Sequence, residues 1–190
     1  MHEGVIMKAD FSKLLSETIE AGAFKSAIIP VSDIKTDTYF RDLCKANTCG
    51  NYGKNWTCPP FAGDIQELIN KLRTYEWAMV YQTVGELEDS YDFEGMMEAG
   101  NLHNQLVIKM RDIVKETVSF PRILHLGAGG CRVCETCAKR VDEPCRHPDL
   151  AISSLEAWGI NVSSLAASAG MKYINGQNTV TYFGAVLFGD

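Results

Sequence analysis

The 190-residue sequence has no apolar run approaching the roughly 20 residues that a membrane helix needs. Its opening stretch, MHEGVIMKADFSKLL, has neither a basic start nor an apolar core of secretion-signal length. Together these absences set the expectation of a cytoplasmic chain with no membrane partner. Low-complexity tracts and internal repeats are missing as well. There is no P-loop, no G-x-G-x-x-G behind a strand and no G-x-S-x-G, which removes the common nucleotide-binding and nucleophile-elbow signatures. LGAGG (126–130) faintly resembles a nucleotide loop but runs into cysteines rather than a helix. Lys and Arg (18) are outnumbered by Asp and Glu (24), the net charge is −6, and no extended basic face appears. Nucleic acid is therefore not an expected partner.

What the chain does hold is cysteine, seven in two groups. Cytosolic thiols stay reduced, and seven cannot all pair, so clustered cysteines here point to metal binding rather than to a disulfide framework. Residues 131–148 supply Cys131, Cys134 and Cys137 at successive two-residue gaps, then Cys145 behind Pro144. C-x2-C-x2-C is the run that presents three thiolates to a [4Fe–4S] cube, the fourth ligand coming from elsewhere. Zinc is the rival. Its four-cysteine sites usually pair two short knuckles, and Cys137 with Cys145 makes a poor second knuckle. Gly127, Gly129 and Gly130 just upstream would let backbone amides approach the centre and tune it.

Residues 46–63 form an Asn- and Gly-rich loop. Cys44, Cys49 and Cys58 in and beside it make a looser set without an obvious fourth thiolate. Tyr52 and Trp56 are candidates to shield a cofactor there. Three readings follow. One iron of a three-cysteine cluster stays open as a Lewis acid for a ligand. Alternatively, a histidine or carboxylate completes the set, or the seven thiols divide differently. His125 and His147 are candidate ligands or outer-sphere donors, though either also reads as an ordinary polar histidine. His103, beside an apolar helix stripe, reads as a core residue. Charge follows the thiols: residues 41–60 and 131–148 carry +2 and +1, leaving −9 for the rest of a −6 chain. Nearby cations favour thiolates.

The spacing predicts a single α/β domain over 1–190, with a mixed sheet, flanking helices and two cysteine-bearing loops. Asp10 caps a first helix. Strands are expected over 24–34, 77–84 and 122–126, the last two joined by a long helix as a crossover that implies a parallel pair. A short helix covers 37–45. Asp64 with Glu67, and Ser153 with Glu156, read as capping boxes, and Gly159 ends the short helix begun by the second. Asn161 starts a further helix. Asn175–Gly176 reads as a hairpin turn.

The combination C-x4-C-x2-YG-x2-W-x-CPP, then C-x2-C-x2-C-x7-CRHP, then SSLEAWGINV resembles a family of predicted metal-binding, cysteine-rich prokaryotic proteins whose domain has no assigned function. The likeness runs from about Cys44 to about Gly170. It implies that Cys44, Cys49, Cys58, Cys131, Cys134, Cys137 and Cys145 are metal-site cysteines, and it suggests an anaerobe-type iron–sulfur protein. It brings no substrate. Three functions remain open from the sequence: an iron–sulfur protein with one or two [4Fe–4S] clusters serving a redox partner protein, an enzyme presenting an open iron to a small-molecule ligand, and a zinc-stabilised interaction module.

Overall fold

The computed structural model describes residues 11–190, so the expected cap at Asp10 lies outside the described residues. In chain order the elements are α1 (Phe11–Glu20), β1 (Lys25–Pro30), α2 (Tyr39–Lys45), α3 (Ile65–Leu72), β2 (Trp77–Glu86), α4 (Phe93–Thr117), β3 (Arg122–Leu126), α5 (Val162–Ser168) and β4 (Thr179–Gly189). Short 3-10 turns cover Val31–Asp33, Ala138–Val141 and Glu156–Trp158.

The sheet runs β1-β2-β4-β3, and every neighbouring pair is antiparallel. The α/β class, the flanking helices and the two cysteine loops stand as expected, but the sheet has no parallel ladder. Strands β2 and β3 do point the same way, as a crossover through α4 requires. The last strand, β4, inserts between them and pairs with both. Ten register pairs join β2 to β4, from Trp77–Phe188 to Glu86–Thr179.

Both faces of the sheet are covered, and the central strands show it in alternating contacts. Ala78, Val80, Phe183, Ala185 and Leu187 face one core, shared with Leu72, Leu155, Trp158, Ile160 and Leu165. Met79, Tyr81, Val186 and Phe188 face the other, against Leu14 of α1 and Leu106, Val107, Met110 and Val114 of α4. This explains the continuous apolar runs in β2 and β4: a strand buried on both faces keeps no polar alternation. His103 of α4 is 1% exposed, between Tyr81 and Tyr182, with Nδ1 2.9 Å from the Thr83 hydroxyl.

Local signals set the element ends. The Asp64 carboxylate accepts from the N–H groups of Gln66 and Glu67, and Asn161 accepts from Ser164 N–H. The second expected capping box differs. Ser153 donates instead to Thr57 O, while the Ser154 hydroxyl accepts from Ala157 N–H, and the element is a 3-10 turn ended by Gly159 at φ 75°. The Asn175–Gly176 turn makes no hairpin, because 171–178 contains no strand for β4 to pair back on. Asn175 instead bonds Lys172 O and the Thr181 hydroxyl, closing a loop into β4.

Candidate metal centre

The second cysteine loop leaves the carboxyl end of β3 and returns to the same point. Gly127 N–H donates to Ser153 O at 2.9 Å, and Leu155 N–H donates to Gly127 O at 3.0 Å. Residues 128–152 thus form a loop pinched at its base. Arg132 anchors it to α4 through Asn101 Oδ1 at 2.8 Å, lying over Gly100, where a Cβ would come within 2.9 Å of the guanidinium. Farther along, Cys137 leads into the 3-10 turn whose Ala138 is buried, and Arg146 bonds Thr136 O and Glu143.

These contacts gather Cys131, Cys134, Cys137 and Cys145 around one tight cleft of about 20 Å³, with Val133, Ala138, Arg146, His147 and Ala151. The N–H groups of Val133 and Ile152 face the Cys131 sulfur and favour its ionised form. Burial pushes the Cys131 thiol above its ordinary pKa, and the neighbouring Cys137 and Cys145 add to the rise.

The first loop is braced differently. Arg41 of α2, 9% exposed, donates to Gly63 O at 2.9 Å and to Ala157 O at 3.0 Å. It thereby fastens both α2 and the loop's exit to the Glu156–Trp158 turn. Within the loop, Gly53 N–H donates to Pro59 O, Asn55 donates to Asn51 Oδ1 at 2.9 Å, and the Pro59–Pro60 bond is cis. Cys44, Cys49 and Cys58 border a cavity of about 370 Å³ with Phe40, Leu43, Tyr52, Gly129, Gly130 and Glu156. Burial raises the pKa of Cys44 and of Cys58, and each is raised further by Cys49.

The two loops touch. Trp56 Nε1 donates to Glu143 O at 2.9 Å, and Lys139 Nζ sits 5.0 Å from the Trp56 ring centre and 4.2 Å from that of Phe61. Gly130 of the second loop lies against Asn51 and Asn55 of the first.

The residues singled out in the sequence therefore fall into place unevenly. The seven cysteines, all free thiols, divide four and three between two neighbouring cavities. Tyr52, Gly129 and Gly130 border the three-cysteine cavity. Trp56 lies between the loops as a brace, and Gly127 sits at the base of the second loop beside Val107. His147 borders the four-cysteine cleft, whereas His125 sits on β3, where burial, with Arg111 and Lys115 nearby, pushes its pKa down to about 4. Two residues that sequence reasoning did not assign to the site, Arg41 and Glu156, prove central to the first cavity. Burial raises the Glu156 carboxyl above its usual range, while the Ser154 hydroxyl and its own N–H favour its ionised form.

A family described as "Predicted metal-binding protein (DUF2284)" matches residues 27–188. The chain belongs to this family. The matched span takes in both cysteine loops and all four strands but for the outer ends of β1 and β4. No curated protein and no solved structure matches the chain.

The donor chemistry agrees with a metal-binding family. Buried thiols with raised pKa are poor nucleophiles, but a metal cation offsets the cost of ionising them. Among the described residues no three Cys, His, Asp or Glu side chains are grouped closely enough to hold a single ion. Thiolates on one tetrahedral zinc stand only about 3.8 Å apart.

Proposed function

We propose that this member of the predicted metal-binding family is an iron–sulfur protein with two [4Fe–4S] sites of unequal kind. The observation that carries the reading is the four-and-three division of thiols around two adjoining cavities. Cys131, Cys134, Cys137 and Cys145 would hold the first centre, complete in thiolates. Val133 and Ile152 N–H groups at the Cys131 sulfur supply the kind of backbone contact that tunes a cluster's potential. Cys44, Cys49 and Cys58 would hold the second, with Tyr52 and the Gly129–Gly130 backbone at its edge.

When bound, such centres supply one-electron transfer, and an iron lacking a protein thiolate supplies Lewis acidity. The chain's own residues shape the division of labour. The four-cysteine cleft of about 20 Å³ would have to widen to take a cube, and four thiolates would then close that cube to ligands, which suits electron transfer to a redox partner. The three-cysteine cavity measures about 370 Å³, space that a cluster and a small-molecule ligand would share.

Metal and sulfide analysis of protein purified without oxygen tests this. Wild type should contain about eight irons with equal acid-labile sulfide, and Cys145→Ser and Cys58→Ser should each lose roughly four. A single tightly held zinc without sulfide would replace this reading with the zinc-stabilised module.

A further inference from the structure

The three-cysteine cavity has a marked chemical bias in its walls. Phe40, Leu43, Ala46, Tyr52 and Pro59 make it largely apolar. Among the described residues that border it there is no Lys, Arg or His, and the only charged side chain is Glu156. Arg41, the nearest cation by sequence, turns both terminal nitrogens away to Gly63 O and Ala157 O. Glu156 also borders a smaller cavity of about 230 Å³ behind Gly129. Its charge acts on Cys44, and Ser154 beside it borders the three-cysteine cavity alone.

We propose that this cavity binds a small amine with an apolar body, its nitrogen hydrogen-bonded to the Glu156 carboxylate and its body against Phe40, Leu43 and Tyr52. The inference deepens the reading of the Cys44/Cys49/Cys58 site as a cluster with an open iron, and rests on it. Apolar area sets the affinity for the body of the ligand, and the polar group at one end of the cavity sets its orientation and charge selectivity. An anionic ligand entering the same space would meet the Glu156 carboxylate and the three thiolates, offset only in part by the Arg41 guanidinium, which acts on Cys44 but is tied to Gly63 O and Ala157 O. Like-charge juxtaposition in a partly buried site is a strong negative selector. Carboxylates and phosphates are thereby disfavoured relative to amines, although an open iron on its own would accept them. Glu156 is a specificity-determining residue in this scheme. Ser154 borders the cavity beside it, its own hydroxyl fixed to the 3-10 turn by the Ala157 N–H at 3.1 Å.

The test uses three probes with one apolar body and different heads: benzylamine, benzyl alcohol and benzoate. Each is titrated into oxygen-free, iron-loaded protein, and binding is read from the cluster's electron paramagnetic resonance and visible absorption. Benzylamine should bind at least about tenfold tighter than benzoate, the factor equivalent to one modest charge interaction. In Glu156→Gln that preference should fall to within about threefold, with affinity for benzyl alcohol unchanged. The wild-type series decides the matter even if the variant folds poorly. Benzoate binding as tightly as benzylamine, or no spectral response to any probe in protein with a full iron count, overturns the amine assignment and leaves the two-cluster reading standing. An iron count lacking the second centre overturns both.

Discussion

Gly130 is the residue on which the contact between the loops turns. A Cβ there would come within 2.9 Å of Asn55 Nδ2 and 3.0 Å of Asn51 Cγ. Asn55 has little freedom to give way: it is 5% exposed and donates to Asn51 Oδ1. Gly130→Ala should therefore part the loops and cost about 1–3 kcal/mol, the range for overpacking a tight contact. Denaturant midpoints of the iron-loaded protein, read with iron content, check it. An unchanged midpoint with full iron would show that the contact is slack. Trp56 offers a second residue-scale test. Trp56→Phe keeps most of the packing on Phe61 and Lys139 but loses the indole bond to Glu143 O, for about 1 kcal/mol. Iron content should hold, since the lost bond involves no thiol. At this scale the sequence was legible in its cysteines and in the glycines that make room beside them. Arg41 and Glu156 were not, because their roles arise from distant chain. The Arg41–Ala157 bond spans 116 residues, and no local pattern announces it.

Among elements, local chemistry carried the most information. The run RILHL is β3 residue for residue, and the caps at Asp64 and Asn161 rest on side chains reaching amides two or three positions on. Such contacts lie wholly within the stretch that encodes them. The order of the sheet does not. Apolar character in β2 and β4 says that both faces are buried, but not which strand lies beside which. The expected parallel pair was displaced when β4 came between β2 and β3. The long helix, by contrast, was legible because its stripe of Leu102, Leu106, Val107, Met110, Ile113 and Val114 repeats at helical spacing; four of the six are buried, while Ile113 is half-buried and Leu102 faces out. Helix α3 isolates the energetic side of a cap. Its Asp64 carboxylate satisfies two otherwise open N–H groups, so Asp64→Ala should cost about 1 kcal/mol. The three-cysteine loop ends at residue 63 and is tied separately through Arg41 to Gly63 O. The variant should melt earlier yet keep its full metal content. Loss of metal together with stability would mean that α3, rather than Arg41, sets the loop's exit.

Across the whole molecule, two imidazoles withdrawn from water, His103 fully and His125 in part, link stability to acid. Burial pushes His103 and His125 down to a pKa of about 4, His103 helped by Arg132 and His125 by Arg111 and Lys115. Above about pH 7.5 both rings are neutral in the folded and the unfolded chain, and their contribution is constant. Between there and pH 4 the unfolded chain takes up protons that the folded chain refuses, so stability falls as pH falls. At pH 5 the loss amounts to about 2 kcal/mol for His103 and less for His125, which is only partly buried. His103 is the cleaner of the two to test, since it sits between Tyr81 and Tyr182 against one hydroxyl and well inside the α4 face of the sheet. The difference in unfolding free energy between wild type and His103→Gln should narrow by about 2 kcal/mol from pH 7.5 to pH 5, because only wild type has this proton to gain. Acid effects on the thiols and on any bound metal are common to both proteins and cancel in that difference. The imidazole resonances of His103 should correspondingly stay at their neutral positions until the pH approaches 4. A difference that stays constant with pH, or a ring that titrates near 6.5, would mean that the helix-covered face of the sheet admits water to His103. The two-sided burial described for β2 and β4 would then hold for only one face.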